Sequence, residues 1–263
     1  VSAVAAGVRR RVEHVMGTAV VIEVRAPEAV ADAVGKAVEA AFEHLRDIDR
    51  RFSTYKPDSE ISRLNSGELP LAACSADVRA VLAMCEEARL ASDGYFDIAG
   101  HRSDGTLDPS GMVKGWSVDG AARILAAAGI SSYNVNAAGD ILLAGAATAG
   151  QPWRIGIRHP WAAQSLAAVV ELGELAIATS GTYERGEHVI DPHTGRPPAG
   201  VASMTVVGPS LTWADTWATA AFAMGVRGVD WIAREIDGYE ACAISTDRHL
   251  IMTAGFERLL AGD

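Results

Sequence analysis

The chain has few cysteines, few aromatics and no long apolar run. Its three cysteines, Cys74, Cys85 and Cys242, are widely spaced over 263 residues and form no CxxC. That excludes a dense disulfide framework and a zinc ribbon, and it fits buried free thiols in a reducing compartment. No apolar stretch approaches the roughly 20 residues that a spanning helix needs. The opening residues, Val1-Ser-Ala-Val-Ala-Ala-Gly7, lack the basic region and long apolar core of a signal peptide. The expected compartment is therefore cytoplasmic. Positive charge is scarce as well: 23 Lys and Arg stand against 33 Asp and Glu, a formal net charge of −10. An acidic surface suits neither nucleic acid nor an anionic membrane. A small phosphate ligand stays open, because backbone amides, one lysine or a metal can outweigh the global charge. GxSxG, HExxH, GxGxxG, a Walker A loop and a Cys/His metal cluster are all missing.

What is present is an ordinary globular composition, 49% apolar and 21% charged. Residues 12–25 are β-rich, with Gly17 as a break. From Glu28 to Arg51, apolar residues at Val30, Val34, Val38, Ala41, Phe42, Leu45 and Ile48 give one helical stripe. A second helix is expected over 75–92, and others at about 115–128, 213–225 and 227–236. Residues 53–69 and 100–113 read as loops, as does 180–200. Short strands are expected at 132–136, 140–145, 153–158, 167–172, 175–179, 202–207, 240–245 and 249–253. Helices mixed among groups of strands favour an α+β fold. We expect mixed sheets flanked by helices, in a single domain with two lobes.

Four polar segments stand beside apolar elements. In Arg51–Asn65, Ser59 can cap a short turn. Tyr55 there can stack on an aromatic ligand or be an ordinary surface tyrosine. In Leu107–Asp119, Pro109 and Gly111 shape a turn and Lys114-Gly115 opens a helix. A lysine at a helix start opposes the dipole, which a bound anion would offset; a solvent-facing lysine is the alternative. In Ala178–Gly195, His188 is the residue type that takes a proton from a hydroxyl near neutral pH, although a lone histidine is more often structural. His193 reads as a turn residue. In Trp213–Gly225, Asp215 and Thr219 lie four apart on one helix face and offer hard oxygens that suit Mg²⁺. They fit equally an aspartate near a helix start and a threonine bonded to its own helix.

Taken in this order, the segments resemble the ApbE family of FAD:protein FMN transferases. The likeness runs from Met16-Gly-Thr18 to Met224-Gly225. Its marks include Tyr55 with Ser59-Glu-Ile and Leu64-Asn65, Phe96-Asp97, and Asp108 through Lys114-Gly-Trp-Ser-Val-Asp119. Asn136-Ala-Ala-Gly-Asp-Ile141, Trp153-Arg-Ile-Gly-Ile157, Thr179 through His188, Asp191-Pro with Thr194-Gly195, and Ala214-Asp-Thr-Trp-Ala-Thr219 follow. The resemblance implies an ApbE-like (T-fold-like) architecture. It also implies an enzyme that binds FAD and Mg²⁺ and transfers FMN to a threonine or serine of a target flavoprotein, releasing AMP. By the same likeness, Met16, Tyr55, Tyr95, Phe96, Asp97, Asp108, Lys114 and the backbone of Val189 are FAD contacts. The Gly111 and Ala218 carbonyls, Asp215 and Thr219 are the metal ligands, and His188 is the base. The chain departs from the family pattern at Asp108–Gly111 and at Asn136–Asp140. Gly111 stands where alanine is usual, Asp-Pro-Ser-Gly replaces Asp-Leu-Gly-Ala, and Asn136-Ala-Ala-Gly-Asp140 replaces Asn-x-Gly-Gly-Asp. Unlike many exported relatives, it shows no lipobox cysteine near its start. Two other readings use the same residues: an FAD pyrophosphatase with water as acceptor, and an FAD carrier without turnover.

Overall fold

A computed structural model describes residues 7–99, 105–182 and 189–262. The β-rich stretch is a hairpin of β1 (Gly7–Val15) and β2 (Thr18–Ala26), in register from Gly7↔Ala26 to Val15↔Thr18. Its break is the two-residue turn Met16-Gly17, with φ of 55° and 71°. Two positive φ values match the twist of the flanking strands. Glycine adopts them freely, whereas methionine does so under strain.

A 3₁₀ turn over Glu28–Val30 leads into α1 (Ala31–Phe52). The expected stripe is buried from Val34 through Ile48, but Val30 lies in the 3₁₀ turn and is exposed. Full burial of residues such as Phe42, Leu45 and Ile48 stabilises by about 1.5–3 kcal/mol each. The segment expected as loop at 53–69 contains α2 (Glu60–Asn65), capped by Ser59 Oγ accepting from Ser62 N–H at 3.0 Å. Ser75 caps α3 (Ala76–Ala91) in the same way.

The largest correction concerns α4, which spans Ser110–Ala127 and so begins five residues before the expected start at Gly115. Pro109 closes its first turn, with its carbonyl accepting from Met112 and Val113 N–H. The first turn buries the adjacent pair Met112 and Val113, which makes no 3.6-residue stripe. Gly115, Ser117 and Gly120 are themselves buried. A Cβ on Gly115 would lie 2.4 Å from the Leu211 carbonyl oxygen, and one on Gly120 would lie 2.2 Å from His44 Nε2. Small residues thus let α4 approach both of its helical neighbours closely.

The remaining strands are β3 (Tyr133–Ala137), β4 (Asp140–Ala144), β5 (Trp153–His159), β6 (Ala162–Leu172), β7 (Ala176–Gly181), β8 (Val201–Gly208), β9 (Glu240–Ser245) and β10 (Leu250–Met252). Between them run α5 (Leu211–Ala223) and α6 (Gly228–Glu235), and α7 (Ala254–Glu257) follows β10. Eight strands form one sheet in the order β1-β2-β3-β4-β7-β8-β9-β10, all neighbours antiparallel, while β5 and β6 form a separate ribbon. The α+β class is the observed one.

The sheet has a covered face on each side. On one, Val20, Ile22 and Val24 of β2 and Val135 of β3 join the core formed with α1, α4 and α5. On the other, Ile141 and Leu143 of β4 meet Trp153, Ile157, Val170 and Leu172 of the ribbon, with Phe256 of α7. β8 lies inside the sheet and is buried along its whole length, its polar Ser203 and Thr205 included. Among the described residues no helix is long and apolar enough to cross a membrane.

Candidate functional site

A cleft of about 1020 Å³ opens where the β1–β2 and β3–β4 turns meet the helices. Small-molecule sites run to roughly 1,000 Å³, so this one suits a large ligand. Met16 sits in its β1–β2 turn, and Tyr55 lies on the segment after α1. Tyr95, Phe96 and Asp97 follow α3. Asp108, Gly111 and Lys114 come from the start of α4, Val189 from the loop before β8, and Asp215 and Thr219 from α5. The structure therefore brings together the scattered residues of the four segments. Ala218 is fully buried behind Asp215 and Thr219 and does not line the cleft with its side chain. His188 lies outside the described residues.

Aromatic groups form one part of the lining. Phe96 is buried, with its ring against Gly111, where a Cβ would come within 3.3 Å. The usual family alanine would press on that ring, so the glycine here goes with a tight fit rather than a loose turn. Tyr95 packs against His193 at 4.5 Å between ring centroids, the rings tilted by 54°, and carries Arg227 over its ring at 5.1 Å. His193 is a turn residue, as expected, and also pins its loop through the Asp93 carbonyl at 2.9 Å. Tyr55, by contrast, is 92% exposed at the rim.

Backbone clamps hold the acidic residues in place. Asn65 makes two bonds of 2.9 Å with Leu107, one to its carbonyl and one from its N–H, and Asp108 N–H donates to the Ile98 carbonyl at 2.8 Å. Asp108 Oδ1 accepts from Ser110 N–H at 3.2 Å, and Asp97 Oδ1 accepts from Ala99 N–H at 2.8 Å.

The floor carries the strongest electrostatics. Lys114 is in the second turn of α4, not at its start, so the dipole argument for a bound anion lapses. Its ammonium instead contacts two buried carboxylates, Asp140 and, at 3.3 Å, Asp215 Oδ1. Burial by itself lowers the lysine pKa, but Asp140 and Asp215 together raise it above its ordinary value. Burial and the charge of Asp140 raise Asp215, opposed by Lys114 and the Gly115 N–H. Asp140 is fixed by Thr179 N–H, which donates to Oδ1 at 2.9 Å.

These groups fit a hard divalent cation. Asp215 Oδ2 is buried and has no hydrogen-bond partner among the described residues. Thr219 Oγ1, one turn on, donates to the Asp215 carbonyl at 3.1 Å, pairs with Ser180 Oγ at 3.4 Å, and belongs to a residue that lines the cleft. An orphaned carboxylate oxygen beside a hydroxyl suits Mg²⁺, which usually takes one or two carboxylates and completes its shell with water and substrate phosphate. No trio of His, Cys, Asp or Glu arranged for a metal occurs among the described residues.

The sequence motifs include Asp119 and Asp140 without giving either a role, and they omit Arg158. Asp140 follows a two-residue turn at the start of β4, where the sequence shows a carboxylate heading an apolar strand. Arg158 lines the cleft from the ribbon, but an arginine in an exposed hairpin is unremarkable in a sequence.

Comparison with known proteins agrees with this geometry. The family model described as "ApbE family" matches residues 16–103 and 99–243. An FAD:protein FMN transferase of Vibrio cholerae serotype O1 is 43% identical over 129 residues, 45% of this chain and 39% of the relative. One from Salmonella typhimurium is 33% identical over 154 residues, covering 52% and 44%. These matches span about two fifths of the curated relatives' length. One from Haemophilus influenzae is 28% identical over 244 residues, covering 69% and 70%. The solved flavin transferase ApbE from Vibrio cholerae superposes with a TM-score of 0.84 at 27% identity, over 97% of this chain and all of that one. The chain belongs to the ApbE family.

Proposed function

We propose that the protein is an FAD:protein FMN transferase, moving FMN from FAD to a threonine or serine hydroxyl of a target flavoprotein and releasing AMP. The observation that carries the reading is the buried, unpartnered Asp215 Oδ2 beside Lys114 and Thr219 on the floor of a large, aromatic-lined cleft. A storage site for flavin has no use for an orphaned carboxylate. The names of the relatives support the reaction class. We read residues 1–263 as one domain, because ribbon and sheet share a core.

Tyr55, Tyr95 and Phe96 offer faces for the flavin or adenine rings, with Met16 and Val189 closing the cleft around them. Asp97 and Asp108, held by their backbone clamps, suit the hydroxyls and ring N–H groups of the ligand. Asp215, Thr219 and the carbonyls of Gly111 and Ala218 would hold Mg²⁺. When bound, the ion supplies charge neutralisation at the pyrophosphate. Lys114 adds a second positive charge there. His188 accepts the proton as the acceptor hydroxyl oxygen bonds to the FMN phosphorus. The bond from that phosphorus to the bridging oxygen breaks, and AMP leaves with the electron pair. Positioning and charge stabilisation do most of the work, since no protein nucleophile is needed.

Chromatography of FAD incubations tests the site assignment. Mg²⁺ should give AMP, EDTA should stop it, and Asp215→Ala should abolish it while FAD still binds. AMP release at the parent rate from Asp215→Ala would remove the metal assignment. His188→Ala should slow transfer and spare FAD affinity; an unchanged transfer rate would remove it as the base.

A further inference from the structure

The segment Lys114-Gly115-Trp-Ser-Val-Asp119 touches α5 at three successive levels. Lys114 meets the Asp215 side chain at 3.3 Å. Gly115 lets the two backbones close to a distance that no Cβ at that position would permit. Asp119 binds the first turn of α5, and its contacts are unusually complete. Oδ1 accepts from Leu211 N–H at 3.0 Å, and Oδ2 accepts from Thr212 N–H at 2.9 Å, Thr212 Oγ1 at 2.5 Å and Ser210 Oγ at 2.7 Å.

A helix normally satisfies its first N–H groups with the side chain of its own N-cap residue. Here Ser210 is the N-cap but makes no such bond. Its hydroxyl is turned to Asp119, and the carboxylate of a different helix does the capping. A negative charge at this end also favours the dipole of α5. Because the cap comes from α4, it fixes where α5 starts relative to α4 as well as stabilising α5. Asp215 lies one turn beyond Leu211, on the same rigid helix, and faces Lys114 on the same α4.

We propose that Asp119 is a positioning residue for the metal ligand Asp215. It locks the phase and height of α5 so that the Asp215 carboxylate meets the cleft floor at the level of Lys114. The inference rests on the metal reading of Asp215 given above. Partners that orient a metal ligand typically contribute 10–100-fold to affinity.

The test is a titration of the purified chain with Mn²⁺ alone, with free Mn²⁺ followed by electron paramagnetic resonance. Asp119→Asn keeps the shape but replaces acceptor oxygen with an amide that faces donors. It should weaken Mn²⁺ binding about tenfold or more, while FAD affinity without metal stays within about twofold. Ser210→Ala removes one of the four bonds and leaves the carboxylate in place. It should give a smaller loss, and it serves as the readout if Asp119→Asn does not fold. Tyr133→Phe removes the bond from Tyr133 to the Ala122 carbonyl, 3.1 Å long, and none of the four bonds of Asp119. It should lower stability without changing Mn²⁺ affinity. Parent-level Mn²⁺ affinity in both Asp119→Asn and Ser210→Ala would reduce Asp119 to a helix cap and overturn the proposal. Asp215→Ala in the same titration separates the two failures. If that variant bound Mn²⁺ like the parent, the metal reading itself would be wrong.

Discussion

Lys114 Nζ lies 3.3 Å from Asp215 Oδ1, and the same ammonium contacts Asp140. Two buried carboxylates thus share one cation, which leaves the cluster with an excess negative charge. A divalent ion at Asp215 would reverse that sign and match an incoming pyrophosphate, while Asp140 holds Lys114.

Removing the lysine from the metal-free chain strands both carboxylates. Breaking a buried ion cluster by deleting one partner costs about 3–5 kcal/mol. Lys114→Met should lose that much in urea unfolding, and saturating Mg²⁺ should restore part of it. A loss under about 1 kcal/mol would mean that the ammonium does not neutralise the pair.

The pH dependence follows from Asp215. Burial first, then the charge of Asp140, push it up to about 7, against the opposing pull of Lys114 and the Gly115 N–H. The folded chain holds this proton more tightly than the unfolded chain does. The resulting stabilisation is fully present below the ordinary carboxylate pKa and is lost as pH rises toward about 7. Mg²⁺ competes for the same oxygen. Its apparent affinity should therefore climb about tenfold per pH unit below that point and level off above it. Calorimetric Mg²⁺ titrations across the range check this; a flat profile would contradict it.

Ala138 sits in the β3–β4 turn with φ of 54°, followed by Gly139 at 98°. The family pattern has glycine at this position, so the departure noted in the sequence falls on a strained residue. An L-residue there costs about 1–2 kcal/mol, and glycine costs about 0.4–1 kcal/mol in the unfolded chain. Ala138→Gly should stabilise by up to about 1 kcal/mol in thermal unfolding. A lower melting temperature would show that the Ala138 methyl makes a contact that outweighs the strain.

Tyr55 is almost wholly exposed, so its removal should leave stability within about 0.5 kcal/mol. Tyr55→Ala should nevertheless weaken FAD binding in a fluorescence titration, with bound turnover little changed. Unchanged affinity would return Tyr55 to an ordinary surface residue.

Strong periodicity was legible in the sequence. The α1 stripe appears almost as read, because large apolar side chains mark the buried face. The start of α4 was not legible, because the contacts that define it are made by Gly115, Ser117 and Gly120, whose burial leaves no apolar signal. The same misreading placed Lys114 at a helix end and suggested an anion, where the structure shows two carboxylates. Motif order gathered the site residues onto one cleft, but single motifs could not, since Asp140 and Asp215 become neighbours of Lys114 only after β4 and α5 have folded against α4. Asp119 looked like one more polar residue on a helix, and only its partners on α5 give it a role.

The most direct measurement is mass spectrometry of an acceptor protein carrying Asp-Gly-x-Ser/Thr-Gly-Ala-Thr, after incubation with the chain, FAD and Mg²⁺. The account predicts that the acceptor gains the mass of an FMN group on its threonine, that AMP appears in equal amount, and that EDTA abolishes both. An unmodified acceptor with FMN and AMP free in solution would contradict transfer and leave a pyrophosphatase.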